Sequence, residues 1–273
     1  MKTKSKVPKP IARSPRAPAK GRSEAPSFIK RNVMFTILSA WLSLLPLVTT
    51  NAWETASGIG ANPIASVPFS ISAPGRYFLV TNLTYALTTG AAITINADEV
   101  ILDLNGASLH GPPGSNCATG VLVSGRRSVT IQNGDIDGFG FAGIQLVLNS
   151  TQNIVDNVRL NANQFGVSVA NGTSNIVKNC VIDGGTVGIL FSGGSGNRAS
   201  NNTLGNQGPP TGIALLTAGS SSQNYFENNL VSKGSNPLGQ VMAGATDKYR
   251  FETFVGFTGP VLSGGVQEFQ FSL

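Results

Sequence analysis

Residues 153–169 read NIVDNVRLNANQFGVSV, and residues 175–191 read NIVKNCVIDGGTVGILF. Each line opens on Asn-x-x-x-Asn and closes on Gly followed by an alternating apolar run. Working outward, the glycine motif stands at Gly120, Gly143, Gly166, Gly188 and Gly212, in steps of 23, 23, 22 and 24 residues. The asparagine motif stands at Asn153/Asn157, Asn175/Asn179, Asn197/Asn201 and Asn224/Asn228, in steps of 22, 22 and 27, the last absorbing Gly208-Pro209-Pro210. Asn133 and Asn105 extend the second-asparagine column toward the amino terminus, separated by a loop over 111–117. A fixed period of this length marks one supersecondary unit stacked on copies of itself.

Within a unit the apolar residues alternate over short runs bounded by Gly and Asn, with no helical period between them. Strands so short cannot bury an apolar face alone. Stacking them in register, about 4.8 Å apart, buries a continuous core and pairs every backbone group with the coil above and below. The expected fold is an all-β parallel β-helix of about 22–24 residues per coil, with β-rich caps at both ends.

With the second asparagine of each pair as zero, the columns have a direction. Ile131, Val155, Val177 and Ala199 (position −2) and Ile136, Leu160, Ile182 and Leu204 (position +3) are expected to point inward, as is Cys180 at +1. The zero asparagines, Asn133, Asn157, Asn179 and Asn201, are expected at a bend, with their amides stacked along the axis. Positions −1 and +2 face solvent, which sets Asp156 beside Lys178 and Asp135 beside Arg159, pairs worth about 0.2–1 kcal/mol.

Charge divides the chain. Of 19 Lys and Arg against 13 Asp and Glu, residues 1–52 hold ten basic groups and one acid, a net +9, and the remainder carries −3. The overall +6 therefore says nothing of a nucleic-acid surface on the body, and no nucleic-acid partner is expected. The leader continues into sixteen uncharged residues, Val33 to Val48, and a small residue at Ala52. Basic region, short apolar core and small terminal residue are the pattern of a secretory signal peptide cut after Ala52, leaving no stable membrane span; a retained signal anchor is the alternative, for which sixteen apolar residues fall short of the roughly 18 to 20 of a spanning helix. The organisation expected is a leader and signal peptide over 1–52, an amino-terminal cap and first strands over 53–90, coils over 91–231 and capping strands over 232–273. The product is secreted, periplasmic or at the cell surface.

The runs ISAPGRYFLV (71–80), AITINADEVILDLNG (92–106) and VTIQNG (129–134) resemble bacterial right-handed parallel β-helix repeat proteins of the pectate-lyase-like superfamily. The Asn-x-x-x-Asn coils are similar to its NosD-like branch, periplasmic repeat proteins linked to copper handling and to carbohydrate-related families. The resemblance covers roughly residues 71–231 and implies a right-handed helix. It speaks less to function, because lyases, hydrolases, epimerases and adhesins share the repeat.

The candidate site is the outward column at +4. Asp137, Asn161 and Asp183 fall on successive coils, the two carboxylates about 10 Å apart, with Arg159 and Asp135 two residues before the column and His110 near its top. In a lyase of this superfamily, carboxylates such as Asp137 and Asp183 would hold Ca2+ on an acidic sugar and Arg159 would act as base, with Asp135, Asn161 and His110 on the substrate. Carboxylates near the upper end of about 6.5–9.5 Å also suit an inverting hydrolase. Asp and Asn are equally at home in tight turns, where their side chains bond nearby backbone. The paired aspartates that polygalacturonases carry before the glycine strand are replaced here by Ala142, Phe165, Val187 and Thr211, and the outward residues of those strands are Leu122, Gln145, Ser168, Leu190 and Ala214, all uncharged. The Trp-Ile-Asp-His and Arg-x-Pro-x-x-Arg motifs of pectate lyases are missing. Phe139, Phe141, Phe165 and Tyr225 are the aromatic residues left for a sugar platform. With one histidine and two cysteines in 273 residues, neither a copper cluster nor a disulfide framework is expected. The reading favoured is an exported protein that binds extracellular or cell-surface polysaccharide or serves a surface-structural role, with no resident cofactor. The alternative is a polysaccharide lyase or glycoside hydrolase acting on an acidic glycan, Ca2+ accompanying the lyase case.

Overall fold

One asparagine per coil sets the shape of the molecule. In the computed structural model Asn133, Asn157, Asn179 and Asn201 take φ of 60°, 54°, 55° and 56°, the left-handed region that asparagine enters more readily than other side-chain-bearing residues. Each one bends the chain, so that a single strand such as Ile154–Asn161 serves two faces of its coil and Phe165–Ala170 supplies the third. The structure describes residues 60–112, 114, 116–205, 212–232, 241–256 and 262–272. The leader and signal peptide expected over 1–52 and the Gly208-Pro209-Pro210 insertion lie outside the described residues.

Among the described residues the strands form two sheets of fifteen and nine members, joined throughout by parallel pairs, and there is no helix. Strand Ile154–Asn161 pairs with Thr130–Asp137 on one side, and with Ile176–Lys178 and Val181–Asp183 on the other. Phe165–Ala170 lies between Ala142–Val147 and Val187–Ser192. The fold is thus a parallel β-helix, as the repeat requires. Coil pairing runs past both ends of the 91–231 stretch: Ala61–Ile64 joins Gly75–Leu79, and Lys248–Val255 pairs with Tyr225–Glu227 and Leu230–Ser232.

The inward columns are those expected. Ile131, Val155, Val177 and Ala199, and likewise Ile136, Leu160, Ile182 and Leu204, are buried and share one apolar cluster. Cys180 is buried with them. Phe191, Phe226 and Tyr249 continue the filling as a stack, with ring centroids 5.6 and 5.7 Å apart.

The amide ladder is not where the sequence suggested. The zero asparagines point outward: Asn157 donates to Asn133 Oδ1 at 3.0 Å, but Asn179 donates instead to Asp156. The continuous ladder is made by the first asparagine of each pair. The Asn153 amide donates to Asn175 Oδ1 at 3.0 Å, Asn175 to Asn197 Oδ1 at 3.0 Å and Asn197 to Asn224 Oδ1 at 3.1 Å. The same oxygens accept the backbone N–H of Asn153, Asn175 and Asn197. A left-handed residue turns its side chain out of the bend, whereas the corner ahead of the strand turns its side chain in.

Such a ladder has polarity, since every amide oxygen receives two donors and every amide nitrogen needs an acceptor on the next coil. The last rung must accept only, and it is a carboxylate. Asn224 donates its backbone and side-chain N–H to Asp247 Oδ1 at 2.9 and 3.0 Å. A second ladder begins at the Cys180 N–H, runs through Asn202 and Asn229, and ends on buried Glu252.

The glycine column also has a cause in packing. A Cβ on Gly166 would stand 2.6 Å from the carbonyl oxygen of Gly188, and one on Gly188 would stand 2.6 Å from that of Ala214. The fifth member of the column is therefore Ala214, not Gly212. Register pairs Val187 with Ile213 and Ile189 with Leu215, which leaves Gly212 two residues early and makes Leu216, rather than Ala214, the outward neighbour of Leu190. Stacking of the inward Leu215 on Ile189 fixes that register.

Candidate functional site

The face that follows the asparagine bend carries the six candidate residues His110, Asp135, Asp137, Arg159, Asn161 and Asp183, on two outward ladders. His110, Asp137, Asn161 and Asp183 occupy one, in register on four successive coils. Ser108, Asp135, Arg159 and Val181 occupy the other. Strand alternation puts both ladders outside, because Leu109, Ile136, Leu160 and Ile182 between them fill the core.

Partners divide these side chains. His110 Nδ1 lies 2.7 Å from Asp137 Oδ1, with the two side chains 41% and 37% exposed. Arg159 Nε is 3.6 Å from Asp135, and its side chain is 75% exposed; a solvated pair of this kind contributes little to stability. Lys178 and Asp156 form the other expected pair, at 3.2 Å. Asp183 Oδ1 accepts the N–H of Gly184 at 3.1 Å, an aspartate serving its own turn. Asp137, Asp183 and Arg159 thus share a face and have separate partners.

An open groove of about 640 Å3 runs along the edge of this face, beside the His110–Asp183 ladder. The turns that follow each ladder residue line it: Gly111 and Pro112 after His110, Gly138 and Gly140 after Asp137, Ala162 and Gln164 after Asn161. Asn116 braces these turns, its Oδ1 accepting the N–H of Gly140 at 2.6 Å and of Ala118 at 3.1 Å. A Cβ at Gly140 would fall 2.0 Å from the Asn116 carbonyl oxygen, so the groove wall needs glycine there. Sequence reading named the ladder and missed the groove. The signal was the glycine and proline directly after His110, at Gly111, Pro112 and Gly114.

Of the aromatic residues considered for a platform, Phe139 is fully buried, and Phe141 packs edge-on to Phe165 at 5.7 Å. Tyr225 is exposed, on a different face.

The chain belongs to the family described as "Periplasmic copper-binding protein (NosD)", whose model matches residues 61–248. No curated protein matches the sequence. Among solved structures, the chain is similar to an alginate lyase from Paenibacillus sp. str. FPU-7, with a TM-score of 0.64 and 13% identity over 78% of this chain and 85% of that one. It is also similar to the enzymatically active domain of tailspike protein 2 of bacteriophage CBA120, with a TM-score of 0.57 and 13% identity over 80% of this chain and 39% of that one. A third is a DFA-IIIase from Arthrobacter chlorophenolicus A6 without its lid, with a TM-score of 0.51 and 13% identity over 79% of this chain and 63% of that one. The chain therefore spans less than two thirds of the last two. At this identity the likenesses show the shared fold alone.

The family description raises copper, and the residues present do not fit it. Among the described residues no three His, Cys, Asp or Glu side chains are grouped to hold a metal ion. The sole histidine is engaged with Asp137 through Nδ1. Burial pushes the Cys180 thiol up to about 12, which holds it in the protonated form that does not ligate metals. Cys117 is exposed and unbridged, with no partner ligand grouped around it among the described residues.

Proposed function

We propose that the chain is an exported β-helix protein that binds extracellular or cell-surface polysaccharide along the His110–Asp183 ladder and the groove beside it. One observation carries the reading: an imidazole–carboxylate pair, an amide and a further carboxylate repeat at coil spacing along one edge of an open groove. Sugar hydroxyls both donate and accept. Carboxylates accept from them, as does the imidazole Nε2 once Nδ1–H is held by Asp137, while the amide N–H groups donate to them. A spacing of about 4.8 Å per coil gives successive sugars successive contacts.

Export is supported by the signal-like leader and by the periplasmic description of the family. Glycan binding is supported by neighbours named as an alginate lyase and as the enzymatically active domain of a tailspike. Affinity electrophoresis of the purified protein through gels containing neutral and acidic polysaccharides tests it. Retardation by at least one glycan is expected, reduced by Asp137→Asn and by His110→Ala. Free migration in every gel would overturn it.

A second reading, catalysis on a glycan, is favoured by the His110–Asp137 pair. A carboxylate on Nδ1 fixes the imidazole tautomer and leaves Nε2 as the proton acceptor, the arrangement used by general bases. Cleavage of a bound polysaccharide that is abolished by His110→Ala, and unaffected by Arg159→Ala, would establish this reading. Loss with Arg159→Ala alone would instead place the base on the arginine.

A further inference from the structure

The outer face of the nine-stranded sheet differs from the other two in charge. Its first outward ladder is Thr94, Leu122, Gln145, Ser168, Leu190 and Leu216, in register on six successive coils. The second, two residues further along each strand, is Asn96, Ser124, Val147, Ala170, Ser192 and Ala218. Neither ladder holds an Asp, Glu, Lys or Arg, whereas each of the other two faces carries both signs, in the pairs Arg159–Asp135 and Lys178–Asp156. The centres of protein interfaces are where charged side chains are scarcest.

The first ladder is also complementary to itself. From Leu122 to Leu190 it reads apolar, polar, polar, apolar. Consider a two-fold axis lying in the face, along the strands and between the coils of Gln145 and Ser168. It reverses the coil order of a second copy and keeps each ladder opposite itself. Leu122 then meets Leu190 of the second copy and Gln145 meets its Ser168, while in the second ladder Val147 meets Ala170, a large side chain against a small one. The Gln145 amide and the Ser168 hydroxyl have no hydrogen-bond partner among the described residues, so each can satisfy the other across the axis.

The corner after the second ladder supplies an independent observation. Gly125, Leu148, Asn171 and Gly193 stand there with φ of 63°, 54°, 55° and 69°, a left-handed conformation that glycine and asparagine enter readily and leucine rarely. Leu148 is the most exposed large apolar side chain among the described residues, at 67%. It therefore carries backbone strain and gains no burial within its own chain. The same two-fold lays it against the Asn171 corner of the second copy, out of water. The six strands that bear both ladders are six to eight residues long. At about 4.8 Å per strand and 3.3 Å per residue they cover roughly 29 by 20 Å. Two such patches bury roughly 1,150 Å2, above the about 1,000 Å2 that a specific interface needs.

We propose that this face joins two copies of the chain in an isologous homodimer of antiparallel solenoids, with their sheets packed face to face about 10 Å apart. The strands of the two sheets stay aligned across the interface, as in stacked sheets generally. Because the two-fold runs along the strands, the turns that precede them, at Gly140, Gln164 and Thr186, come to the same side in both copies. The dimer thus presents two grooves on one side, and its assembly is independent of what those grooves bind.

Sedimentation equilibrium of the purified protein over a wide concentration range tests the assignment. A monomer–dimer equilibrium is expected. Leu122→Lys and Leu190→Glu should each weaken dimerisation at least about tenfold, because each puts an unpaired charge into an apolar contact. The chain carrying both substitutions should regain it, since every lysine then faces a glutamate of the second copy. Within one chain the two positions lie three coils apart, about 14 Å, too far to compensate each other. Leu148→Gly should also weaken the dimer, and as it relieves the corner, a folding defect cannot imitate that result. A monomeric wild type overturns the proposal, whether the face then takes another molecule or the chain's own apolar segment, residues 33–48. A dimer indifferent to both single substitutions, or a double variant no better than the singles, overturns it equally.

Discussion

Two cysteines show how far a single residue's environment decides its chemistry. Cys180 is buried, its thiol pushed up to about 12 by desolvation, while Cys117 is exposed. Alkylation of the native protein should modify Cys117 alone within minutes, and both should react after denaturation. Equal labelling of both in the native state would contradict the packing described for Cys180. The burial of Cys180 was legible in the sequence, because its column is flanked by apolar positions. The choice between the two asparagines of each pair was not. Both recur with the same period, and periodicity cannot tell which amide points inward; a backbone dihedral decides that, and left-handed φ at Asn157 or Asn179 is a property of the folded corner. The same holds at the candidate site. Alternation placed His110, Asp137, Asn161 and Asp183 on one outward ladder. That Asp137 would take the imidazole and Asp183 its own turn depends on side-chain geometry that spacing does not carry.

At the level of the strand and its neighbours, the inward ladder separates the two asparagines energetically. Asn175→Ala removes an amide that accepts from Asn153 and donates to Asn197 and to the Ser150 carbonyl, leaving buried groups unpaired at about 1–3 kcal/mol each. Its denaturation midpoint should fall by an amount corresponding to several kcal/mol, while Asn179→Ala, at the exposed bend, should cost about 1 kcal/mol or less. Comparable losses in the two variants would contradict the ladder assignment. Gly166→Ala should cost about 1–3 kcal/mol or more, because its Cβ would meet the next coil's carbonyl oxygen at 2.6 Å. The glycine motif was readable as a repeat, but its last member was misplaced by two residues. The insertion before Gly212 let a chance glycine stand in for Ala214, and only pairing of Leu215 with Ile189 resolves the register. The end of the second ladder adds a pH dependence. Burial raises Glu252 from 4.5 to about 8 against the opposing pull of two Asn229 hydrogen bonds. Its contribution to stability is fully present below about pH 4.5, declines as the pH rises, and is lost above about pH 8. Thermal unfolding across that window should show the decline in the wild type and a flatter profile in Glu252→Gln; identical slopes would contradict the buried carboxyl.

Across the whole molecule, stacking explains why so little charge remains outside residues 1–52. Coil corners take Asn, Gly, Ser and Thr where other folds place Lys and Glu. The sheet architecture was legible because a repeat writes the same constraint many times. The groove was not, because it is assembled from single residues on several coils, and no one coil contains its pattern. The central claim is that polysaccharide lies along the turns beside the His110–Asp183 ladder. Hydrogen–deuterium exchange of the protein with and without a glycan that retards it tests this most directly. The expected result is slowed exchange at the backbone amides of Gly111, Gly138, Gly140, Ala162 and Gln164, which line that groove, and loss of that protection in Asp137→Asn. Unchanged exchange at these turns with the glycan bound, or protection confined to another face, would contradict it.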